Sequence, residues 1–125
     1  MNPINILLIG LGNMGKIHKR VIENNNRTNL YGIVDTSFKK KHEIVDGVQY
    51  FNELHLVDID KRFIDGVVIS STTSSHYEIA KQFLERNIPV FLEKPISTDK
   101  NEIEKLLDVV SNQETIFRCG LIEIY

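Results

Sequence analysis

Short apolar runs alternate along the chain with longer segments in which apolar residues recur every three or four positions. The runs predict strands and the periodic segments predict amphipathic helices, an alternation that is typical of a parallel sheet wound with helices. Strands are predicted at residues 4–9, 30–34, 48–51, 65–69, 88–92 and 115–124. The first run is apolar at almost every position, as expected of a strand covered on both faces.

The helix after the first strand is expected to bury one stripe of side chains against the sheet. The members of this stripe recur at helical spacing and are Met14, Ile17, His18, Val21 and Ile22. Within it, His18 is expected to be a buried, hydrogen-bonded histidine. Three asparagines at residues 24–26 end the helix, because asparagine tolerates turn conformations.

The later helices complete the predicted fold. A short helix is expected at residues 36–45, with Phe38 and Val45 on one side, and residues 52–63 are expected to form a helix or turn and then a polar connection. Another helix opens at His76 and has an apolar face of Tyr77, Ala80, Phe83 and Leu84. Asp99 and Glu102 have capping-box spacing and begin a helix with the stripe Ile103, Leu106, Leu107 and Val110. The sequence therefore predicts an α/β fold, a doubly wound, mainly parallel sheet with helices on both faces and strand order 3-2-1-4-5-6.

The composition narrows the class of protein. The chain has 125 residues, 42% of them hydrophobic and 26% charged, which predicts one soluble globular domain over 1–125. Fifteen basic and 17 acidic residues give a net charge of −2, so we expect no nucleic-acid partner. The single cysteine, Cys119, suits a reducing cytoplasm, and neither a signal peptide nor a membrane-spanning run is recognised. No His, Cys or carboxylate cluster has metal-ligand spacing, so we expect no metal.

The first strand and helix are joined by the turn Gly-Leu-Gly-Asn-Met-Gly, a G-x-G-x-x-G motif. Between a strand and a helix, this motif predicts the phosphate-binding corner of a dinucleotide site. Gly10 permits the tight turn, Gly12 lets the backbone approach a pyrophosphate, and Gly15 lets the helix pack closely on the strand. Asn13 and Met14 belong to the same cradle. The N–H groups and the positive end of the helix dipole then face the phosphates.

Asp35 stands at the end of the second predicted strand, twenty residues beyond Gly15. A carboxylate there can accept hydrogen bonds from the adenosine ribose and repels a 2′-phosphate, which favours NAD over NADP as the cofactor. Lys39 and Lys40 lie nearby and could bind that phosphate, so NADP stays the alternative. Asp35 could also cap the segment that follows it.

Polar residues follow the fourth and fifth predicted strands, at the edge of the sheet where such folds bind ligands. Ser71, Thr72 and His76 are expected to flank the cofactor, although a polar loop with a helix cap explains the same residues. Glu93 and Lys94 are expected at the nicotinamide end. The Lys94 ammonium could bind a substrate oxygen and move a proton, which makes it the candidate catalytic residue.

The order of these motifs resembles the N-terminal domain of the Gfo/Idh/MocA oxidoreductases over essentially the whole chain. Its most specific parts are the glycine turn that carries Met14 and the sequence Glu93-Lys94-Pro95. The family loop after strand four usually reads Thr-Pro-Asn, whereas this chain has Ser71-Thr72-Thr73. The resemblance implies NAD or NADP as cofactor and hydride transfer to or from a sugar, cyclitol or related hydroxyl compound. It also implies that Lys94 lies beside the nicotinamide.

The resemblance further implies a second, C-terminal domain that supplies most substrate contacts and is absent from this chain. We therefore expect the chain to bind the cofactor without turnover. A small polyhydroxy substrate is expected to bind only with the missing domain. The face on which that domain would pack is then exposed, which is compatible with homo-oligomers. A non-catalytic module that senses NAD(H) is the alternative function. A methyltransferase-like domain is a further one, but it leaves the Glu-Lys-Pro sequence unexplained.

Overall fold

The computed structural model describes residues 2–61, 63–93, 97–112 and 117–119, and in these ranges seven strands and three helices alternate. The strands are β1 (Ile4–Ile9), β2 (Thr28–Val34), β3 (His42–Val45), β4 (Val48–Phe51), β5 (Gly66–Ile69), β6 (Val90–Leu92) and β7 (Phe117–Cys119). The helices are α1 (Asn13–Asn24), α2 (Thr73–Leu84) and α3 (Lys100–Asn112). Two short 3-10 turns, Leu54–Leu56 and Ile59–Lys61, occupy the region expected to hold a helix or turn.

All seven strands form one sheet with the order β3-β4-β2-β1-β5-β6-β7. Each neighbouring pair is parallel except β3 and β4, which are antiparallel. When β3 is set aside, the remaining order is the predicted 3-2-1-4-5-6. The doubly wound fold class is therefore confirmed, with one additional strand at the edge.

The prediction of a helix at residues 36–45 is wrong, because this segment forms a turn and then strand β3. Asp46 and Gly47 join β3 to β4, and both have positive φ, 52° and 80°. An Asp-Gly pair with positive φ at both positions makes the two-residue turn that matches the twist of a β-hairpin. Phe38 instead packs edge-on against Tyr50, and Val45 is exposed on β3.

One face of the sheet is covered by α2 and α3. Alternate residues of the central strands point to this face. The buried cluster includes Leu7, Ile9, Val67, Ile69, Val90 and Leu92 from strands, and Tyr77, Ala80, Phe83, Leu84 and Leu106 from helices. The apolar face predicted for α2 is confirmed, although the helix begins at Thr73 rather than at His76. In α3, Leu106 is fully buried, whereas Leu107, predicted in the same stripe, is half exposed.

The opposite face is covered by α1, but not through the predicted stripe. Ile22 packs on Ile6, Leu8, Leu30 and Ile33, whereas Met14, Ile17 and Val21 are 45%, 46% and 59% exposed. The prediction that these three are buried is therefore wrong. The buried positions of α1 are Gly15 and Ile22, two turns apart, with His18 partly buried between them. A hydrophobicity pattern misses this line of contact because it passes through a glycine.

Replacing Gly47 by alanine is expected to destabilise the fold by about 1 kcal/mol, the usual cost of a left-handed conformation for a residue with a side chain. The cost is purely conformational, because no heavy atom lies within 4 Å of the Cβ that the substitution adds. Urea unfolding of Gly47→Ala and of the wild-type chain measures the difference. Equal unfolding free energies would contradict the assigned turn.

Candidate functional site

A cleft of about 520 Å³ opens at the carboxyl edge of the sheet, beside the ends of β1, β2 and β5. Its walls include residues 10–12, 35–36 and 70–72. The chain winds in opposite directions from β1 to β2 and from β5 to β6, so the cleft lies where the order of the strands reverses. In open parallel sheets this is the position where ligands bind.

Two other surface depressions occur among the described residues, of about 660 and 550 Å³, but both lie toward the opposite edge. One is formed around residues 24–26 at the end of α1, and the other includes Asp65 and residues 87–89, which precede β5 and β6. Neither is near the chemistry that the sequence predicts. The cleft at the carboxyl edge is therefore the candidate site.

The cleft brings together five of the predicted site residues: Gly10, Gly12, Asp35, Ser71 and Thr72. Others lie in neighbouring elements: Asn13, Met14 and Gly15 in the first turn of α1, His76 in α2, and Glu93 directly after β6. Lys94 lies outside the described residues. The predicted cofactor contacts of all these residues, and the catalytic role of Lys94, stay predictions.

The fold itself requires two of the three glycines in the turn. Gly10 has a φ of +94°, and a Cβ there would lie 2.6 Å from the backbone nitrogen of Ser71. A Cβ on Gly15 would lie 2.1 Å from the carbonyl oxygen of Gly10. The Ser70 hydroxyl donates a hydrogen bond to that same carbonyl oxygen at 2.9 Å. These contacts lock α1 against the turn and against the end of β5.

Gly12 differs from the other two, because the fold does not require a glycine there. Its φ is −79°, which any residue adopts, and a Cβ would meet no heavy atom within 4 Å. Gly12 nevertheless lines the cleft and is the N-cap residue of α1. A glycine at this position leaves room for a group outside the chain to approach the backbone.

The amino end of α1 is suited to an anion. No side chain caps it, and its first turn contains no acidic residue. The first N–H groups of a helix have no partner within the helix, and the helix dipole places partial positive charge there. Together with the open space at Gly12, this arrangement fits the pyrophosphate of a dinucleotide.

Asp35 is bound to the glycine turn. Its Oδ2 accepts a hydrogen bond from the Leu11 N–H at 2.6 Å, and its Oδ1 accepts one from the Ser37 N–H at 2.8 Å. Partial burial acts to raise the pKa of Asp35, but hydrogen bonds from Ser37 and Leu11 outweigh it and hold the pKa below its usual value. The carboxylate is therefore ionised at neutral pH. Its unused lone pairs can accept hydrogen bonds from hydroxyl groups in the cleft.

The hydroxyl-rich loop after β5 is held by its own side chains. The Ser71 and Ser75 hydroxyl oxygens lie 2.8 Å apart, and the Ser75 hydroxyl donates to the Thr72 carbonyl at 2.7 Å. His76 is almost fully buried, and its Nε2 donates to the Ser71 carbonyl at 3.0 Å. This contact ties the loop to α2, whereas no side chain caps that helix at its N-cap residue, Thr72.

At the end of β6, Glu93 is held by two different elements. Its backbone N–H donates to the carbonyl of Ile69 at 2.9 Å, and its carboxylate contacts Nε2 of His18 on α1. The His18 ring also packs edge-on against Phe91, with 5.5 Å between ring centroids. The predicted hydrogen-bonded histidine thus has a partner 75 positions away, which no local pattern could identify.

Several residues of the cleft escaped sequence reasoning. Leu11 contributes the N–H that binds Asp35, and Ser70 ties the glycine turn to β5. Glu53 and Leu54 reach the cleft from the first 3-10 turn, and Ile79 reaches it from α2. Ser70 had a signal, since it begins the hydroxyl-rich run. Leu11, Glu53 and Leu54 had none, because Leu11 contributes through its backbone N–H and the other two depend on the path of an irregular segment.

The part of the chain that the structure describes contains neither a candidate membrane-spanning helix nor a candidate metal cluster. None of its helices combines the length and the apolar character needed to cross a membrane. No three His, Cys, Asp or Glu residues there are grouped so that they could hold a metal ion.

The sheet, the glycine turn and the cleft together define a dinucleotide-binding Rossmann domain. The chain belongs to the Gfo/Idh/MocA family, whose sequence model is described as "Oxidoreductase family, NAD-binding Rossmann fold" and matches residues 4–121. The resemblance found in the sequence is therefore confirmed. The prediction of NAD as the cofactor agrees with this description.

Several known proteins are similar to the chain over nearly all of its length. Inositol 2-dehydrogenase from Rhizobium meliloti (strain 1021) is 30% identical over 115 residues, which are 90% of this chain and 34% of the relative. The crystal structure of myo-inositol 2-dehydrogenase from Lactobacillus plantarum superposes with a TM-score of 0.82 at 26% identity, covering 95% of this chain and 36% of that one. GenD2 from gentamicin A biosynthesis, whose structure is a complex with NAD, has the same fold, with a TM-score of 0.79 at 20% identity, covering 96% and 35%. The chain thus spans about a third of the length of the curated relatives it matches.

Asp35 is expected to make stability depend on pH in the acid range. A carboxylate whose pKa is lowered by folding stabilises the folded state above its unfolded pKa, and this contribution is lost as the pH falls through the lowered folded pKa. Urea unfolding between neutral pH and about pH 3 should therefore show a smaller acid loss in Asp35→Asn than in the wild-type chain. Identical pH profiles would contradict the hydrogen bonding assigned to this carboxylate.

Proposed function

We propose that the chain is the NAD-binding domain of an oxidoreductase that transfers hydride between nicotinamide and a sugar, cyclitol or related polyhydroxy compound. The observation that carries this proposal is the open space at Gly12, beside an uncapped helix terminus and an ionised Asp35. Phosphate groups and ribose hydroxyls match these two features in charge and hydrogen bonding. The substrate class rests on the relatives, which include inositol 2-dehydrogenases.

Each part of the cleft has a task in this proposal. Gly12 and the first turn of α1 present backbone N–H groups to the pyrophosphate, whereas the Gly10 N–H donates to the Val34 carbonyl and Gly10 shapes the turn. The Asp35 carboxylate accepts hydrogen bonds from the adenosine ribose. Ser71 and Thr72 present hydroxyls along the other wall of the cleft. When bound, NAD supplies the hydride acceptor, and the protein orients it.

Asp35 also accounts for the proposed preference between the two nicotinamide cofactors. Its negative charge would lie beside the 2′-phosphate of NADP, and the lowered pKa keeps that charge in place at neutral pH. Repulsion between the two anions, together with loss of the ribose hydrogen bond, weakens NADP binding. NAD is therefore the proposed cofactor.

Gly12→Ala is expected to weaken NAD⁺ binding by about tenfold or more, because the new methyl group occupies the space through which the pyrophosphate reaches the backbone. Its unfolding free energy should stay within about 1 kcal/mol of the wild-type value, the scale of an N-cap change. Isothermal titration with NAD⁺ and NADP⁺, paired with urea unfolding, measures both quantities. In the wild-type chain NAD⁺ should bind more tightly than NADP⁺.

Gly47→Ala is the matched control for this experiment, because Gly47 lies in the hairpin turn between β3 and β4 and also has open space at its Cβ. This variant should lose stability and keep its NAD⁺ affinity, the reverse of Gly12→Ala. Absence of NAD⁺ binding to the folded wild-type chain would refute the proposed function. Unchanged affinity in Gly12→Ala would refute the position of the cofactor.

The chain alone is expected to bind NAD⁺ without oxidising a substrate, because its relatives are about three times as long. Incubation with NAD⁺ and a panel of inositols and sugars, followed at the absorbance of NADH, should show no steady product formation. An active full-length relative under the same conditions is the control. Sustained NADH production by the 125-residue chain would contradict this expectation.

A further inference from the structure

We propose that His18 is a positioning residue that, through Glu93, fixes the end of β6 relative to the phosphate-binding helix. This inference rests on the proposed function, since it concerns the nicotinamide half of the same site. Its basis is the contact of the His18 imidazole with the Glu93 carboxylate. No other hydrogen bond or ion pair among the described residues joins α1 to β6.

The two partners lie at points that matter for a dinucleotide. His18 lies in α1, six residues after Gly12, which corresponds to about 9 Å along the helix axis. Glu93 is the first residue after β6, at the carboxyl edge of the sheet, and Lys94 follows it in sequence. The contact therefore links the helix that receives the pyrophosphate to the strand end that precedes the candidate catalytic lysine.

The surroundings of the pair give it a defined geometry. The side chains of His18 and Glu93 are only 19% and 18% exposed, so water and salt screen the pair less than they screen a surface pair. The Phe91 ring packs against the imidazole from β6, and the Glu93 backbone is anchored to Ile69 of β5. The end of β6 is thus held from two sides, by β5 through the backbone and by α1 through the side chain.

This arrangement separates the site into two halves with different supports. The half formed by the glycine turn and Asp35 is held by its own hydrogen bonds, from Ser70 to Gly10 and from Leu11 to Asp35. The half at the end of β6 is supported by the contact of Glu93 with His18. Removing the imidazole should therefore disturb binding of the nicotinamide half and leave binding of the adenosine diphosphate half intact.

The test compares NAD⁺ with ADP, which lacks the nicotinamide riboside half, by isothermal titration of His18→Ala, His18→Gln and the wild-type chain. His18→Ala should weaken NAD⁺ binding by about tenfold, because Glu93 is no longer held in position at the end of β6, and leave ADP binding within about twofold. His18→Gln keeps an N–H donor and should restore most of the NAD⁺ affinity. Lys19→Ala, which removes an exposed ion pair with Glu23 in the same helix, is the control and should change neither affinity.

The outcomes distinguish failure of the inference about His18 from failure of the proposed function. Weakening of NAD⁺ and ADP by the same factor in His18→Ala would show a general structural role and overturn the inference, as would an unchanged NAD⁺ affinity. If His18→Ala does not fold, NAD⁺ and ADP affinities are compared in the same way for Glu93→Gln. This substitution keeps the shape of the side chain and removes its charge. A wild-type chain that binds ADP and NAD⁺ leaves the proposed function standing whatever the variants do, whereas binding of neither overturns both.

Discussion

The close packing of α1 on the glycine turn is the contact on which the rest of the site depends. The backbone of Gly15 approaches the carbonyl oxygen of Gly10 so closely that a single added carbon would lie 2.1 Å from it. This approach aims the amino end of α1 along the carboxyl edge of the sheet, with Gly12 as its N-cap residue and no side chain that caps it by a hydrogen bond. The helix dipole and the N–H groups of the first turn are thereby directed into the cleft, where they favour an anion although residues 12–15 at this terminus include no positively charged side chain.

Asp35 extends this arrangement to the neighbouring strand. By accepting the Leu11 N–H, its carboxylate joins the end of β2 to the turn that follows β1, and the same hydrogen bonds that hold it also keep it ionised. Positive potential at the helix terminus and a fixed negative charge therefore lie in one cleft. A ligand with phosphates at its middle and ribose hydroxyls at one end complements both, which is why the geometry favours a dinucleotide over a simple anion.

The sequence predicted the parts of this structure that depend on local patterns. The glycine turn, Asp35 and the order of the parallel strands follow from motif spacing and from apolar runs, and the fold agrees with them. Strand β4 follows from its apolar run, but β3 does not, because the spacing of Phe38 and Val45 favoured a helix where the chain forms the first strand of an Asp46-Gly47 hairpin. The exposure of Ile17 and the contact of His18 with Glu93 could not be predicted, since both depend on how a helix lies on a sheet rather than on its own periodicity.

A crystal structure of the chain grown with NAD⁺ tests the central claim most directly. The account predicts a pyrophosphate at the amino end of α1, in contact with the backbone of Gly12, and an adenosine ribose whose hydroxyls donate to the Asp35 carboxylate. It also predicts that the nicotinamide half runs toward the end of β6, where Glu93 meets His18. A cofactor bound at the opposite edge of the sheet, or one whose phosphates avoid the helix terminus, would contradict it.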